Sequence, residues 1–321
     1  MKTKIIKPPH LRNGDTVAVV TVSYPILNKN LFERGVKTLE RLGLRVVYYK
    51  EIFKSYGQHM AGMPRDRIIQ FHKAIANKKV KAVFNLVGGY AANQILDVLD
   101  FSLIRRNPKI IYGFSDVTTI LNPIFEKTGL ITFHGPNIEE WFYRLDRYSR
   151  NSLVTTLFEP RPTYEIPRST RWKVFKPGRA RGRLAGGNLT IVRNLVGTDF
   201  NLRWKNRLFF WEEIGEDIEG IDNILTHLKL AGALDDIAGM IIGKNIIAPP
   251  ESYLLKKRRR ALTFYEVVTN VLRGYTFPVV SDVDFGHLLP QATIPIGARA
   301  ELNASSGSGR IRIKILESVV S

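Results

Sequence analysis

The chain has 321 residues, of which 44% are hydrophobic, and this is enough for a globular protein with two cores of ordinary size. The absence of cysteine excludes disulfides, thiolate metal sites and cysteine nucleophiles, and the formal net charge is +19. No run of about 18 uncharged apolar residues could span a membrane, and no apolar segment follows the basic N-terminal residues, so we expect a cytoplasmic protein.

Short apolar runs alternate with amphipathic stretches in the first half of the chain. The runs at 15–23, 45–50, 80–89 and 109–115 are predicted strands, and the stretches at 31–43, 65–77, 91–100 and 116–129 are predicted helices. This alternation is typical of βαβ units, in which helices cover both faces of a mostly parallel sheet. Ligands of such sheets bind at the carboxyl ends of the strands, where we expect Ser115 and the Gly88–Gly89 turn.

The alternation stops at a segment rich in proline and basic residues, 161–182, which is typical of an interdomain linker. Beyond it the sequence predicts strands at 207–213 and 236–243, helices at 217–232 and 258–274, and a β-hairpin at 298–316. We therefore predict an α/β fold with an N-terminal domain at 1–160 and a mixed α/β domain with a hairpin or barrel-like part at 183–321.

The basic residues are spread along the chain and crowd only at 168–183 and 256–260. A field this positive attracts nucleic acid, anionic membranes or phosphorylated ligands. Neither crowded segment interleaves aromatic residues as single-strand nucleic-acid-binding domains do. A solvated basic surface is therefore the simpler interpretation, and nucleic-acid binding is the less favoured alternative.

Ser115 lies where a predicted strand turns into a helix. A turn of this kind can hold a serine at its tip beside the helix N-terminus, as in a nucleophile elbow. A serine at this position also suits a helix N-cap, with Asp116 near the positive end of the helix dipole. The local pattern leaves both interpretations open, because Val117 stands where G-x-S-x-G has its second glycine.

A nucleophilic serine needs a base, which is usually a histidine held by a carboxylate. Among the six histidines, His134 and His287 each end a predicted strand beside a glycine, so both could line a cleft. The others lie in predicted loops or amphipathic helices. Glu212 and Glu213 end the apolar strand at 207–213, and alternation directs only one of them inward.

Several segments, in this order and with this spacing, resemble one protein family, the cytoplasmic LD-carboxypeptidases and their relatives, the microcin C immunity peptidases. The segments are LRNGDTVAVVTVS, LVGGYAANQILDVLDF, IIYGFSDVTTIL, GLITFHGPN, GRLAGGNLTIVRNLVGTDF, LFFWEEIGEDIEGIDNILTHLKLAG and VDFGHLLPQATIPIGA. The resemblance extends nearly from end to end of the chain. It implies a serine peptidase that cuts an amide near the carboxyl end of a small peptide-like substrate.

The resemblance also implies roles for particular residues. Ser115 matches the family's nucleophile, His287 its base and Glu212 the acid that orients the base. The backbone amides of Gly89 and Asp116 match the oxyanion hole. The resemblance implies neither a metal nor a cofactor, and it implies a homodimer.

Two departures from the LD-carboxypeptidase pattern concern the substrate. Where that pattern has an arginine suited to a substrate carboxylate, this chain has Asn93 and Gln94, which look more like the immunity branch. Leu288 replaces a threonine after the histidine, a change that the sequence does not explain. The candidate substrate-binding residues are therefore Gly88, Asn93, Gln94 and His134.

Two substrates stay open: the L,D bond of a murein tetrapeptide in peptidoglycan recycling, and a peptidyl-adenylate of the microcin C type. The basic composition favours the phosphate-bearing substrate. On the same scaffold, a non-catalytic protein that holds an anion or nucleotide at the glycine turn is the alternative function.

Overall fold

The computed structural model describes residues 4–249, 262–305 and 310–321. The strands are β1 (Thr16–Val20), β2 (Arg45–Tyr48), β3 (Val80–Asn85), β4 (Ile110–Gly113), β5 (Thr132–His134), β6 (Tyr164–Glu165), β7 (Lys173–Lys176), β8 (Gly178–Asn188), β9 (Arg207–Glu212), β10 (Gly239–Lys244), β11 (Val279–Gly286), β12 (Ile294–Ile296), β13 (Arg299–Ala304) and β14 (Ile311–Ile315). The helices are α1 (Lys29–Arg41), α2 (Pro64–Ala76), α3 (Phe101–Arg106), α4 (Thr118–Thr128), α5 (Ile138–Trp141), α6 (Arg147–Leu157), α7 (Leu189–Leu195), α8 (Ile218–Leu230) and α9 (Phe264–Val271). The basic segment 256–260, the start of the predicted helix at 258–274 and the turn of the predicted hairpin at 306–309 lie outside the described residues.

The first sheet has the strand order β12-β5-β4-β3-β1-β2. Strands β1 to β5 run parallel, and β12 joins the edge antiparallel to β5. Nearly every residue of β1, β3 and β4 is buried, as expected for parallel strands that helices cover on both faces. The predicted α/β architecture with a mostly parallel sheet is confirmed.

The second sheet has the order β6-β14-β13-β8-β9-β10-β11-β7. Its centre, β8 to β11, is parallel, and β13 and β14 form the predicted antiparallel hairpin. Segment 161–182, predicted as a linker, contributes β6, β7 and the start of β8 to this sheet. Its proline and basic residues conceal the strand pattern, because edge strands tolerate both.

The predicted helix at 91–100 is wrong. Only a 3₁₀ turn, Ala92–Ile95, forms there, and α3 begins after Asp100, whose carboxylate accepts the Leu103 N–H at 2.8 Å. The Ala92 N–H donates to the carboxylate of Asp116 at 2.8 Å, so a contact distant in sequence fixes this segment as a turn. Helical spacing of apolar residues cannot reveal such a contact.

The two sheets meet where α4 packs against β8. Asn122 Nδ2 donates to the Gly186 carbonyl at 2.8 Å, and the Gly186 N–H donates back to Asn122 Oδ1 at 3.0 Å. A Cβ on Gly187 would lie 2.4 Å from Thr118 Oγ1, so a glycine is needed for this close approach. Because α4 starts just beyond β4, the packing directs the carboxyl end of β4 towards the carboxyl ends of β8 and β9.

Within the described ranges, no helix combines the length and the apolar character required to cross a lipid bilayer.

Candidate active site

Ser115 follows β4 and has a φ of 60°, a left-handed conformation that few residues other than glycine adopt. It begins a 3₁₀ turn, Ser115–Val117, that leads directly into α4. Its side chain caps neither helical segment, and Oγ has no hydrogen-bond partner among the described residues. A strained backbone of this kind is typical of a nucleophile elbow, and the N-cap interpretation is wrong.

The carboxylate of Asp116 holds this turn in place. It accepts hydrogen bonds from Ser23 Oγ at 2.5 Å, the Ala92 N–H at 2.8 Å and Thr119 Oγ1 at 3.3 Å. Burial raises the pKa of Asp116, and these hydrogen bonds oppose that shift. The side chain thus ties the serine turn to the loops that follow β1 and β3.

The Gly88–Gly89 turn lies directly against the serine. A Cβ on Gly88 would be 2.9 Å from Ser115 Oγ, so glycine keeps the space beside the hydroxyl open. The Gly88 N–H donates to Glu140 Oε2 at 3.3 Å. The N–H groups of Gly89 and Asp116 have no acceptor within the described part of the chain, which leaves both able to donate to a ligand oxygen.

His287 follows β11, and its Nδ1 lies 2.7 Å from Glu212 Oε2 at the end of β9. The His287 side chain is 8% exposed and that of Glu212 is fully buried. Burial lowers the pKa of His287, but the Glu212 carboxylate raises it, with smaller contributions from Glu140 and Glu213, and the net shift is upward. With Nδ1–H directed at the carboxylate, Nε2 is the nitrogen left for proton transfer.

The His287 ring packs on Phe114, the residue before Ser115, with ring centroids 4.6 Å apart. The histidine therefore lies beside the serine turn. No hydrogen bond joins Ser115 to His287 in the described ranges, so direct contact between them stays a prediction. Hydrogen bonds of this kind are often long until substrate is bound.

His134 does not reach the cavity that holds Ser115. It is 1% exposed, and both of its ring nitrogens lack a hydrogen-bond partner. The surrounding rings belong to Phe114, Phe210 and Phe285. Burial lowers the pKa of His134 to about 4, which keeps it neutral. Because its side chain is buried and does not line the Ser115 cavity, the expectation that it lines a cleft is wrong.

Glu212 and Glu213 are both buried, so the expectation that only one of them points inward is wrong. Strand β9 ends at Glu212, and alternation no longer governs the next residue. Glu213 accepts the N–H groups of Thr190 and Ile214, each at 2.8 Å. Burial raises the pKa of Glu213 to about 7.

A cavity of about 240 Å³ lies in front of Ser115 and the glycine turn. Its lining includes three carboxylates, those of Glu140, Glu213 and Glu216, and no lysine or arginine from the described ranges. The sequence analysis did not identify Glu140, which lies in α5 just after β5, or Glu216. Among the described residues, the positive charge of the chain is therefore not concentrated around this cavity.

Asn93 and Gln94 line a neighbouring cavity of about 420 Å³, which shares Tyr90 and Ile191 with the first. Gln94 Oε1 accepts a hydrogen bond from Arg67 Nη2 at 2.5 Å. Arg67 is buried and lines neither cavity. Among the described residues, neither cavity is therefore lined by an arginine that could substitute for the one absent at 93–94.

Two family models match the sequence. The model of the LD-carboxypeptidase N-terminal domain matches residues 17–135, and that of the LD-carboxypeptidase C-terminal domain matches residues 181–302.

Individual relatives match over most of the chain. The chain is 33% identical to a probable murein peptide carboxypeptidase of Bacillus subtilis (strain 168), covering 97% of this chain and 96% of the relative. It is 30% identical to the microcin C7 self-immunity protein MccF of Escherichia coli, covering 90% and 91%. The structure of MccF with glutamyl sulfamoyl guanosine superposes with a TM-score of 0.88 at 27% identity, covering 98% of this chain and 99% of MccF. A muramoyltetrapeptide carboxypeptidase from Oxalobacter formigenes gives a TM-score of 0.81 at 25% identity, covering 94% and 99%.

Proposed function

Because the chain belongs to the LD-carboxypeptidase family, we propose that it is a serine peptidase with a Ser115–His287–Glu212 triad. The family acts on peptide-like substrates. The observation that supports the triad is the left-handed Ser115, which lies in an open cavity beside an imidazole that Glu212 holds and whose hydroxyl has no partner among the described residues. The scissile bond in this proposal is an amide near the carboxyl end of the substrate.

In the proposed mechanism, Ser115 Oγ attacks the amide carbonyl carbon while His287 Nε2 takes the hydroxyl proton. Glu212 keeps the imidazole in the required tautomer and stabilises the imidazolium that forms. The N–H groups of Gly89 and Asp116 stabilise the tetrahedral oxyanion, a contribution typically worth ~3 kcal/mol per donor. His287 then gives the proton to the leaving amine, and the same cycle with water releases the acyl group and restores the serine.

The two substrates suggested by the sequence both have a counterpart among the relatives. One relative is named as a murein peptide carboxypeptidase, and MccF has been crystallised with aminoacyl sulfamoyl nucleosides. Since Asn93 and Gln94 provide no cation, a terminal D-Ala carboxylate would lack a charge-assisted hydrogen bond worth roughly 1.5 to 3 kcal/mol. We therefore propose that murein tetrapeptide is cut more slowly than a peptidyl-adenylate analogue.

Mass spectrometry after incubation with murein tetrapeptide and with a peptidyl-adenylate analogue tests reaction and substrate together. We expect amide hydrolysis of at least one of them by the native protein, and none by the Ser115→Ala variant. Ser169→Ala is the matched control. It removes an exposed hydroxyl that lines neither of the two cavities, so it should keep full activity. Native rates in Ser115→Ala would overturn the serine mechanism, and faster cleavage of murein tetrapeptide would overturn the substrate order.

We also propose a cytoplasmic homodimer, as the family resemblance implies. Light scattering coupled to size-exclusion chromatography should give twice the chain mass, and cell fractionation should place the protein in the cytoplasm. A monomer over the whole concentration range, or recovery outside the cytoplasmic fraction, would contradict this part of the proposal.

A further inference from the structure

Two carboxylates in the wall of the Ser115 cavity are held side by side by one residue. The Thr190 N–H donates to Glu213 Oε2 at 2.8 Å, and Thr190 Oγ1 donates to Glu216 Oε1 at 3.2 Å. Both glutamates line the cavity. The arrangement therefore presents two adjacent acidic groups to whatever occupies the space in front of the serine.

Several acidic side chains that the protein buries are paired with cations, as in Glu126–Arg207, Asp284–Lys244 and Glu51–Lys73. Within the described ranges, Glu213 and Glu216 form no ion pair. Glu140, the third acid of the cavity, accepts hydrogen bonds from the Gly88 N–H and from Asn137 Nδ2 on Oε2, and no described residue donates to its Oε1. An acidic cavity without a counter-ion is costly to maintain and is relieved by a cationic ligand.

Two tyrosine rings line the same cavity. Tyr24 and Tyr90 have ring centroids 6.3 Å apart, and Tyr90 is 68% exposed. Aromatic faces attract ammonium groups through the ring quadrupole. Burial is the largest cause that raises the pKa of Tyr90, and Tyr24, Glu213 and Glu216 raise it further. The field of the two carboxylates therefore reaches this ring. Rings and acids thus favour the same kind of ligand.

We propose that Glu213 and Glu216 bind a primary ammonium group of the substrate beside the scissile amide. This proposal rests on the proposed peptidase function, whose nucleophile shares the cavity. An organic cation fits better than a metal ion, because no group of three or more potential metal ligands is assembled in the described residues. The ammonium can belong either to an α-amino group or to the side chain of a diamino acid residue, and both present the same chemistry.

Three versions of one peptide ending in L-Lys-D-Ala test the proposal: unmodified, acetylated at the lysine side chain, and acetylated at the α-amino group. We expect one acetylation to lower kcat/KM by about tenfold or more, as for the loss of a charge-assisted hydrogen bond. The acetylation that has this effect identifies the source of the ammonium. Equal rates for all three peptides would overturn the proposal.

Charge-removing variants assign the effect to the glutamates. Glu213→Gln and Glu216→Gln should each reduce the preference for the free amine several-fold, whereas Glu219→Gln, an exposed acid on the first turn of α8, should keep it. If Glu213→Gln fails to fold because Glu213 is buried, Glu216→Gln by itself tests whether the glutamates cause the preference for the free amine. An unchanged preference in Glu216→Gln would contradict the assignment.

Binding of the same peptides to Ser115→Ala, measured by calorimetry, separates this proposal from the peptidase function. A preference for the free amine in binding, together with no turnover by the native protein, would contradict the peptidase but support the ammonium site. Turnover of all three peptides with neither a kinetic nor a binding preference would support the peptidase and overturn the ammonium site.

Discussion

The two sheets position their parts of the candidate site by different physical means. The first sheet presents Ser115 through its backbone, with a φ of 60° and a glycine turn that keeps the space beside the hydroxyl open. The second sheet positions His287 through a side chain, by a buried hydrogen bond to Glu212. Substitutions that change backbone freedom should therefore affect the Ser115 turn most. Substitutions that change charge should affect the position and pKa of His287 most.

The largest effect on kcat is expected when the side chain of either Ser115 or His287 is removed. His287→Ala and Ser115→Ala should each lower kcat by about 10⁶-fold, and the double variant should be hardly worse than either, because triad members act as a unit. Steady-state kinetics on the three proteins measures this. His227→Ala, which removes an exposed histidine of α8, should leave turnover unchanged. If the fold loss of kcat in the double variant equals the product of the two single losses, Ser115 and His287 contribute to turnover independently.

Removing only the charge on the histidine side should have a smaller effect. Glu212→Gln keeps the shape of the buried partner but no longer fixes the tautomer of His287, so we expect kcat to fall by about 10⁴-fold. Steady-state kinetics of Glu212→Gln measures this loss. Glu219→Gln is the control and should retain native rates. A loss of less than about tenfold would show that Glu212 is structural rather than part of the triad.

The pH profile also tests the histidine side. A base must be neutral to accept a proton, so kcat/KM should rise about tenfold per pH unit up to the raised pKa of His287 and then level off. Stability should change in the opposite sense. A raised histidine pKa stabilises the fold fully below the ordinary histidine pKa, and this contribution is lost as the pH rises through the raised value.

Kinetics and denaturation of Glu212→Gln across the same pH range check both signs. The variant removes the charge that contributes most to raising the pKa of His287, so the midpoint of any residual activity should move to lower pH. A midpoint that stays in place would mean that another group titrates in the native profile.

The smallest expected effect is on the serine side. Ser115→Gly should be more stable than Ser115→Ala by about 1 kcal/mol, because only glycine adopts a φ of 60° without strain. Urea denaturation of the two inactive proteins measures the difference. If Ser115→Ala proves as stable as Ser115→Gly, the turn has relaxed in the variant and its strain is not imposed by the surrounding fold.

The parts of the fold that the sequence predicts best are those with local periodic signals. Strands β1, β3 and β4 are continuous apolar runs between amphipathic helices, and helix α8 has a regular apolar stripe. The turn at Ser115 is predictable for the same reason, since the change from strand to helix is visible in adjacent residues.

The parts that it predicts poorly depend on contacts between distant residues. Ala92 lies in a 3₁₀ turn because Asp116 accepts its N–H, and Glu213 is buried because Thr190 donates to it. His134 faces a cluster of aromatic rings drawn from both sheets. Neither periodicity nor residue type carries information about such partners.

Strand β12 has a consequence for how the protein acquires its structure. It borders β5 in the sheet that presents the serine, yet its pairing, as of Ile294 with His134, joins residues far apart in the sequence. During synthesis on the ribosome, the first sheet lacks this edge until residues Ile294–Ile296 have emerged. Contacts so distant in sequence slow folding, because a long loop must close before they form. A fragment ending near residue 160 would expose β5 as an open edge able to pair with another chain, so the nucleophile half depends on the last part of the chain to be protected from aggregation.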